Sequence, residues 1–188
     1  MPTSIAPRQI LSTERLLIRE MELSDLAFIG EMLNDPTVMA HYPRSIVAQG
    51  PHAWLERQIR RYADDGHGLW LALRADNLAP VGQIGLTLQD VNGVAEIEVG
   101  YLLHRSHWGC GFATEGARAC VKYGIEELGR DRIVALIRAE NLPSQAVARR
   151  LGLVRDGDRQ TYITRGVGHL VVPIRFNCPP EVTLITLV

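Results

Sequence analysis

The stretch SHWGCGFATEGARA, residues 106–119, sets Gly109 and Gly111 one residue apart, directly before a run with helical spacing. A residue without a Cβ lets another group rest against the backbone amides. Where such a loop opens a helix, that group is commonly a phosphate, because the first amides of a helix lack internal partners and carry the positive end of its dipole. An ordinary strand-to-helix turn also uses glycine, so the surrounding segments decide. Two phosphate motifs fail at once. A dinucleotide fingerprint needs a third small residue where Thr114 stands, and its acidic partner should end the next strand, whereas Asp131 precedes that strand. A P-loop needs a lysine after the second glycine, and none follows.

Downstream of the loop, GFATEGARACVKYGIEELG places Ala113, Ala117, Cys120, Val121, Gly124 and Leu128 on one helical face, with Gly129 closing the helix. Upstream, LWLALR (69–74), VGQIGLTLQ (81–89) and VAEIEVGYLL (94–103) are joined by ADNLAP and DVNG, whose turn residues predict an antiparallel meander. Earlier still, RLLIRE (15–20) reads as a strand and LSDLAFIGEMLND as a helix with Ser24 as N-cap and Pro36 beyond its end. GPHAWLERQIRRYAD follows as a second helix, with Pro51 in its first turn. Strand RIVALIRA (132–139), helix PSQAVARRLG (143–152) and two strands near 153–159 and 168–176 complete the order. The glycine pair therefore sits in a strand-helix-strand unit, across which parallel pairing is expected.

The 188 residues, 46% of them hydrophobic, suit a single globular domain, 1–188, with a core of about 12–176 and a tail over 177–188. Twenty basic and twenty-one acidic side chains leave a formal charge of −1, which supplies no global field for nucleic acid or an anionic membrane. Cys110, Cys120 and Cys178 are too scattered for a disulfide framework and form no metal-binding cluster, so a reducing cytoplasm is the expected setting. MPTSIAPRQILS lacks a leader pattern and no run approaches ~18 apolar residues, so neither secretion nor a membrane span is expected. The closing EVTLITLV is rich in β-branched residues and is expected to pair with a sheet edge of its own chain or of a partner, which makes a homodimer the expectation.

Taken with ENLPSQAVARRLGL (140–153) and EIEVGYLL (96–103), the glycine loop resembles the GNAT acyl-coenzyme A N-acetyltransferases, in particular the branch of ribosomal-protein N-terminal (alanine/serine) acetyltransferases. NDPTVMAHYP (34–43) and the WL of the second helix extend the resemblance over roughly 12–176. It implies an α/β (α+β) fold with a mixed, mostly antiparallel seven-stranded sheet, splayed at its centre and flanked by helices on both faces. It also implies acetyl-coenzyme A as co-substrate and no metal. The pyrophosphate would lie on the amides of Gly109, Cys110, Gly111, Phe112, Ala113 and Thr114, with Gly111 and Ala113 where the pattern requires small residues. Trp108 stands where many members have Gln or Arg, and Cys110 where Lys or Arg is frequent, so one cationic phosphate contact is expected to be missing. The pantetheine arm would pair with the strand that includes Tyr101, Leu102 and Leu103, and Asn141 matches the asparagine that bonds this arm; its plainer reading is a helix-entry residue. Ser144 matches the position of an acid near the sulfur, or is simply a helix N-terminal residue, and His41 and Tyr42 fall on the acceptor loop.

Acetylating an amine requires removing a proton from the ammonium and stabilising the departing thiolate, so a base and an acid on opposite sides of one thioester are the minimum. Glu96 and Glu98 share one strand face by period two, opposite Ile97, Val99 and Tyr101. Two adjacent carboxylates raise at least one pKa if buried, as a base requires; the plainer reading is a solvated face. Glu98 is preferred, because EVGY matches the family segment beside the thioester. Cys110 stands near a helix N-terminus, but no His/Asp pair accompanies it to support covalent catalysis. The expected function is acetyl transfer to a primary amine, of a protein N-terminus or a small molecule, by direct attack in a ternary complex. A coenzyme A-binding sensor without turnover is the alternative, and the acceptor stays open.

Overall fold

Leu69, Leu71 and Leu73 point to one side of their strand, Trp70 and Ala72 to the other, and all five are buried. Both faces of this strand are therefore covered, which explains a hydrophobic run without polar alternation. The structure, a computed structural model, describes residues 7–91, 93–155, 162–164, 167–171 and 173–177. Its elements are β1 (Gln9–Ser12), β2 (Leu16–Arg19), α1 (Leu26–Asn34), α2 (Arg44–Val47), α3 (Gly50–Asp64), β3 (Leu69–Arg74), β4 (Pro80–Val91) and β5 (Val94–Leu103). Then follow α4 (Phe112–Glu126), β6 (Val134–Arg138), α5 (Leu142–Arg150), β7 (Val154–Arg155), β8 (Tyr162–Thr164), β9 (Val167–Val171) and β10 (Pro173–Asn177). Among the described residues no helix is long and apolar enough to cross a membrane.

Eight strands form the main sheet in the order β1-β2-β3-β4-β5-β6-β10-β7, and β8 and β9 form a separate hairpin. Seven were expected. The additional strand is β1, whose short QILS segment pairs antiparallel with β2 at the edge, and the single strand expected over 168–176 divides into β9 and β10. The meander is as the turn residues predict: β3, β4 and β5 pair antiparallel in sequence, and Gly93 supplies the left-handed φ of 79° at the β4–β5 turn. Ser24 is not the N-cap of the first helix. A 3-10 turn (Leu23–Asp25) precedes α1, and the Asp25 carboxylate accepts from the Glu22 amide at 2.9 Å while pairing with Arg19 at 2.7 Å. The expected strand beyond residue 155 and the tail over 178–188, on which the dimer expectation rests, lie outside the described residues.

Two cores flank the sheet. One buries Leu16, Ile18, Trp70, Ile84, Leu86 and Val99 together with Phe112, Ala117 and Cys120 of α4. The other packs Leu69, Leu71 and Leu73 with Ile29 and Met32 of α1 and Trp54 and Leu55 of α3. Helix α4 lies unusually close to the sheet because Gly116 and Gly124 carry nothing on its inner face: a Cβ at Gly116 would come within 2.5 Å of Ile84, and one at Gly124 within 2.8 Å of Ile133.

Among the described residues one strand pair of the sheet is parallel, β5 with β6, and they register at a single position, Glu98 opposite Val134. Beyond it β5 continues to Leu103 and β6 to Arg138 without further pairing to each other. The sheet is thus open at its centre, on the side where β5 leads into the glycine loop.

The meander depends on a close main-chain approach between Gly85 of β4 and Gly68, where the Leu86 amide donates to the Gly68 carbonyl at 3.1 Å. A Cβ on Gly85 would collide with that carbonyl oxygen and lie 2.9 Å from the Leu69 Cα. Because main chain cannot swing aside as a side chain does, Gly85→Ala should cost about 1–3 kcal/mol, lowering the melting temperature by roughly 2–12 °C for a chain of this size. A melting temperature within a degree of the parent would show that the strands can part at no cost.

Candidate active site

The parting of β5 and β6 opens a cleft of about 2040 Å³ that runs from the glycine loop, past the free edge of β5, to the layer of α1, α2 and α3. Period two divides β5 between its two ends. Tyr101 packs with the α4/α5 core and Leu102 with the α1/α3 core. Glu98, in phase with Leu102, faces the α1/α3 side, where Thr87 and Gln89 of β4 meet it.

On the α4/α5 side the loop takes its shape from two left-handed glycines, Gly109 with φ 76° and Gly111 with φ 82°, the latter being the N-cap of α4. An L side chain is strained in both conformations. Trp108 pins the loop to the end of β5, its indole N–H donating to the Leu103 carbonyl at 2.9 Å. Gly109, Gly111, Phe112, Ala113 and Thr114 all line the cleft, as do Tyr101, Leu102, Leu103, Trp108, Asn141 and Ser144. Cys110 does not. Its exposed thiol lies off the cleft, and its carbonyl accepts from Arg15 at 3.1 Å. Arg118, Lys122 and Arg150 add positive charge to this end. A first turn of free amides in a glycine-shaped loop beside three cations fits a diphosphate.

Arg15 has no place in the sequence reading, where it only begins a strand. Its Nε donates to Glu115 at 2.7 Å and its guanidinium lies 4.9 Å over the Phe112 ring, so it packs beneath the loop. The Glu115 carboxylate also accepts from the Arg15 amide at 2.9 Å and the Thr13 hydroxyl at 2.6 Å. Burial works to raise the Glu115 pKa, but these donors outweigh it and hold the carboxylate below its ordinary value. Positions 108 and 110 lack a cation, and Arg15 brings one from a strand distant in sequence.

On the same side, the Tyr101 hydroxyl donates to the Ser144 carbonyl at 2.8 Å and accepts from the Ser144 hydroxyl at 3.1 Å. Burial pushes the Tyr101 pKa up to about 12, with the Ser144 hydrogen bond acting against it and the Glu98 charge adding to it. Asn141 is the N-cap of α5, its Oδ1 accepting from the Ser144 amide at 3.1 Å. The helix-entry reading of Asn141 therefore holds, and its side chain still borders the cleft.

Across the sheet, the Glu98 carboxylate accepts from Gln89 Nε2 at 2.7 Å and from the Thr87 hydroxyl at 3.3 Å. Burial raises its pKa above the ordinary 4.5, against the pull of Gln89, of the Leu136 amide on β6 and of the Arg61 charge. Glu96, its partner in the period-two argument, is placed elsewhere: it is buried outside the cleft lining and pairs with Arg132 at 3.5 Å. Tyr42 stands edge-on to Trp54 with ring centres 5.6 Å apart, and it lines the cleft beside His41. Burial, followed by the Glu98 charge, pushes the Tyr42 pKa above its ordinary value.

A sheet opened between two parallel strands, with a glycine-shaped loop that fits an anion on one side and a half-buried carboxylate on the other, suits an enzyme with a phosphate-tailed donor. The comparisons give the family: residues 15–154 match the acetyltransferase (GNAT) domain model, and the chain belongs to that family. An uncharacterized protein of Bacillus subtilis, YkkB, is 35% identical over 144 residues, 76% of this chain and 84% of that one. An uncharacterized N-acetyltransferase of Bacillus licheniformis, p20, is 31% identical over 180 residues, 90% and 95% of the two chains. The spermidine N-acetyltransferase of Vibrio cholerae, solved in complex with CoA and spermine, shares the fold with a TM-score of 0.66 at 18% identity, covering 88% of this chain and 96% of its own. The chain is an acetyl-coenzyme A-dependent N-acetyltransferase, acting on amines.

Removing Arg15 would leave the Glu115 charge facing the phosphate end uncompensated. Arg15→Ala should therefore weaken acetyl-coenzyme A binding by about 10-fold at low salt, and Arg15→Ala with Glu115→Gln should recover part of the loss. Calorimetry at two salt concentrations checks this; equal affinity in parent and Arg15→Ala would show the pair to be irrelevant to binding.

Proposed function

We propose that the acceptor amine attacks the thioester directly in a ternary complex, with Glu98 as the base and the Tyr101–Ser144 pair supporting the departing sulfur. The observation that carries this reading is the placement on opposite faces of β5 of Glu98, where β5 and β6 pair, and Tyr101, in the unpaired stretch just beyond. Base and sulfur donor then flank a single passage. The co-substrate supplies an activated acetyl group as a thioester. The amides of 109–114 would hold its diphosphate, and the unpaired edge of β5 would take the peptide-like arm, by the same logic that lets an extended chain join a sheet edge.

Glu98 removes the proton from the incoming ammonium, directly or through one water, so that the nitrogen lone pair forms the new C–N bond as the C–S bond breaks. Its raised pKa brings it nearer to the working range of a base, and Gln89, Thr87 and the Leu136 amide hold it in one orientation. Ser144 was expected to be the acid. Neither it nor Tyr101 is matched to full proton transfer, since an alkyl thiol ionises near roughly 8.5 and the Tyr101 phenol only at about 12. The Tyr101 hydroxyl, turning from the Ser144 carbonyl while Ser144 still donates to it, acts instead as a hydrogen-bond donor to sulfur, and the proton that completes the thiol comes from the attacking nitrogen by way of Glu98.

Glu98→Gln should lower kcat by about 10²–10⁴ while leaving acetyl-coenzyme A affinity within about twofold. In the parent, turnover should rise with pH around the raised value that Glu98 has in the fold, and between the ordinary 4.5 and that raised value lies a window for stability. Stability should move oppositely. In that window the folded protein keeps a proton that the unfolded chain has released, so the parent loses stability as pH rises and Glu98→Gln does not. A pH–rate profile and a pH series of melts read both. An unchanged kcat in Glu98→Gln would remove the residue from the chemistry.

A further inference from the structure

The sequence of α3 places Arg57 and Arg61 four residues apart, one helical turn, on the face that also carries Trp54 and Gln58. All four line the α1/α3 end of the cleft, where the acceptor must enter. Like charges at this spacing repel each other, and nothing in helix formation asks for them on an inward face. The Arg57 guanidinium lies 4.8 Å over the Trp54 ring, and its Nη1 donates to Gln49 at 2.6 Å. Trp54 is itself fixed, its indole N–H donating to Gln83 at 3.0 Å beneath the edge of Tyr42. Arg57 is thus held in one orientation by a ring and an amide, and no carboxylate pairs with it among the described residues.

The negative charge lining the cleft does not pair with Arg57. Glu115 is taken up by Arg15 at the loop end, and Glu14 stands beside the same segment. Among the described residues the acceptor end has one carboxylate, Glu98, which the chemistry already uses. Burial, then the charges of Arg61 and Arg60, lower the Arg57 pKa, so the unliganded site carries an electrostatic cost that a bound anion would relieve. A polyamine, bringing a second cation to this end, would add to that cost.

We infer that the acceptor is a primary amine that also carries an anionic group, such as a carboxylate, seated on Arg57 with Arg61 beside it. This rests on the transferase reading above. The same chemistry arises in two forms, a small aminocarboxylate or a peptide N-terminus followed by acidic residues. A guanidinium preorganised on an aromatic face suits either, because planar carboxylates match its fork and little ordering is needed on binding.

The test uses the full chain and reads thiol release from acetyl-coenzyme A with matched acceptors: γ-aminobutyrate against its amide, L-glutamate against L-glutamine, spermidine, and the peptides Ala-Asp-Glu and Ala-Lys-Lys. The anionic member of at least one pair should show a kcat/KM at least ~10-fold above its counterpart and above spermidine, consistent with a hydrogen bond to a charged group, and the better pair identifies the form. Arg57→Gln should erase most of that preference through KM with a smaller change in kcat, Arg57→Lys should keep part of it, and Arg57→Glu should favour the cationic member. Preference for spermidine or Ala-Lys-Lys by the parent overturns the inference, as does an unchanged preference in a folded Arg57→Gln. If no amine releases thiol although acetyl-coenzyme A binds, the transferase reading fails separately. The anion site is then decided by titrating γ-aminobutyrate into the coenzyme A-loaded protein: saturable binding lost in Arg57→Gln supports it, and no binding overturns it.

Discussion

Between Glu98 and Val134 two parallel strands meet once and then part. Unpaired backbone inside a sheet is costly unless something takes its hydrogen bonds, so this opening has to be supported by the elements around it. Helix α4 supports it from one side, lying against the sheet through Gly116 and Gly124 and holding the floor of the cleft where it is. On the other side the Glu98 carboxylate accepts the Leu136 amide of β6, occupying with a side chain part of what a paired strand would have supplied. The strand that provides the reactive groups is the strand whose edge is exposed. Its alternation of faces then gives Glu98 to one half of the cleft and Tyr101 to the other, with no need for either to reach far.

Much of this arrangement was legible in the amino-acid order because it is written in local chemistry. Left-handed glycines before a helix, Gly93 at a tight turn and a strand reading LWLALR each express a constraint that acts within a few residues. What the order did not disclose involves partners distant along the chain. Arg15 reads as a strand residue, since the carboxylate that orients it lies 100 positions away. Glu96 and Glu98 are indistinguishable by period two, whereas in the fold Glu96 pairs with Arg132, from the connection before β6, outside the cleft lining. Ser24 and Asp25 are about equal as caps by local preference, but Arg19 on the neighbouring strand pairs with Asp25, and the helix begins after it. Segment QILS is too short and too mixed to announce a strand, and it becomes one because the edge of β2 is there to pair with.

The site is also divided by charge. Cations gather at both ends of the cleft, but for different reasons: near α4 they stand beside free helix amides, and on α3 they stand on an aromatic ring. Between them the walls that touch the passage are mostly neutral or hydrogen-bonded hydroxyls, and among the described residues the one carboxylate there is half-buried. Low polarity in the middle strengthens each electrostatic contact made there and keeps bulk water from competing with the amine.

The bond between Thr13, Arg15 and Glu115 ties the first strands to the first turn of α4 across most of the chain. Contacts of such long sequence separation close a long loop, so the shape of the phosphate loop and the docking of the β1–β2 hairpin are coupled. A ligand that binds the loop only in its folded shape stabilises that hairpin with it by mass action.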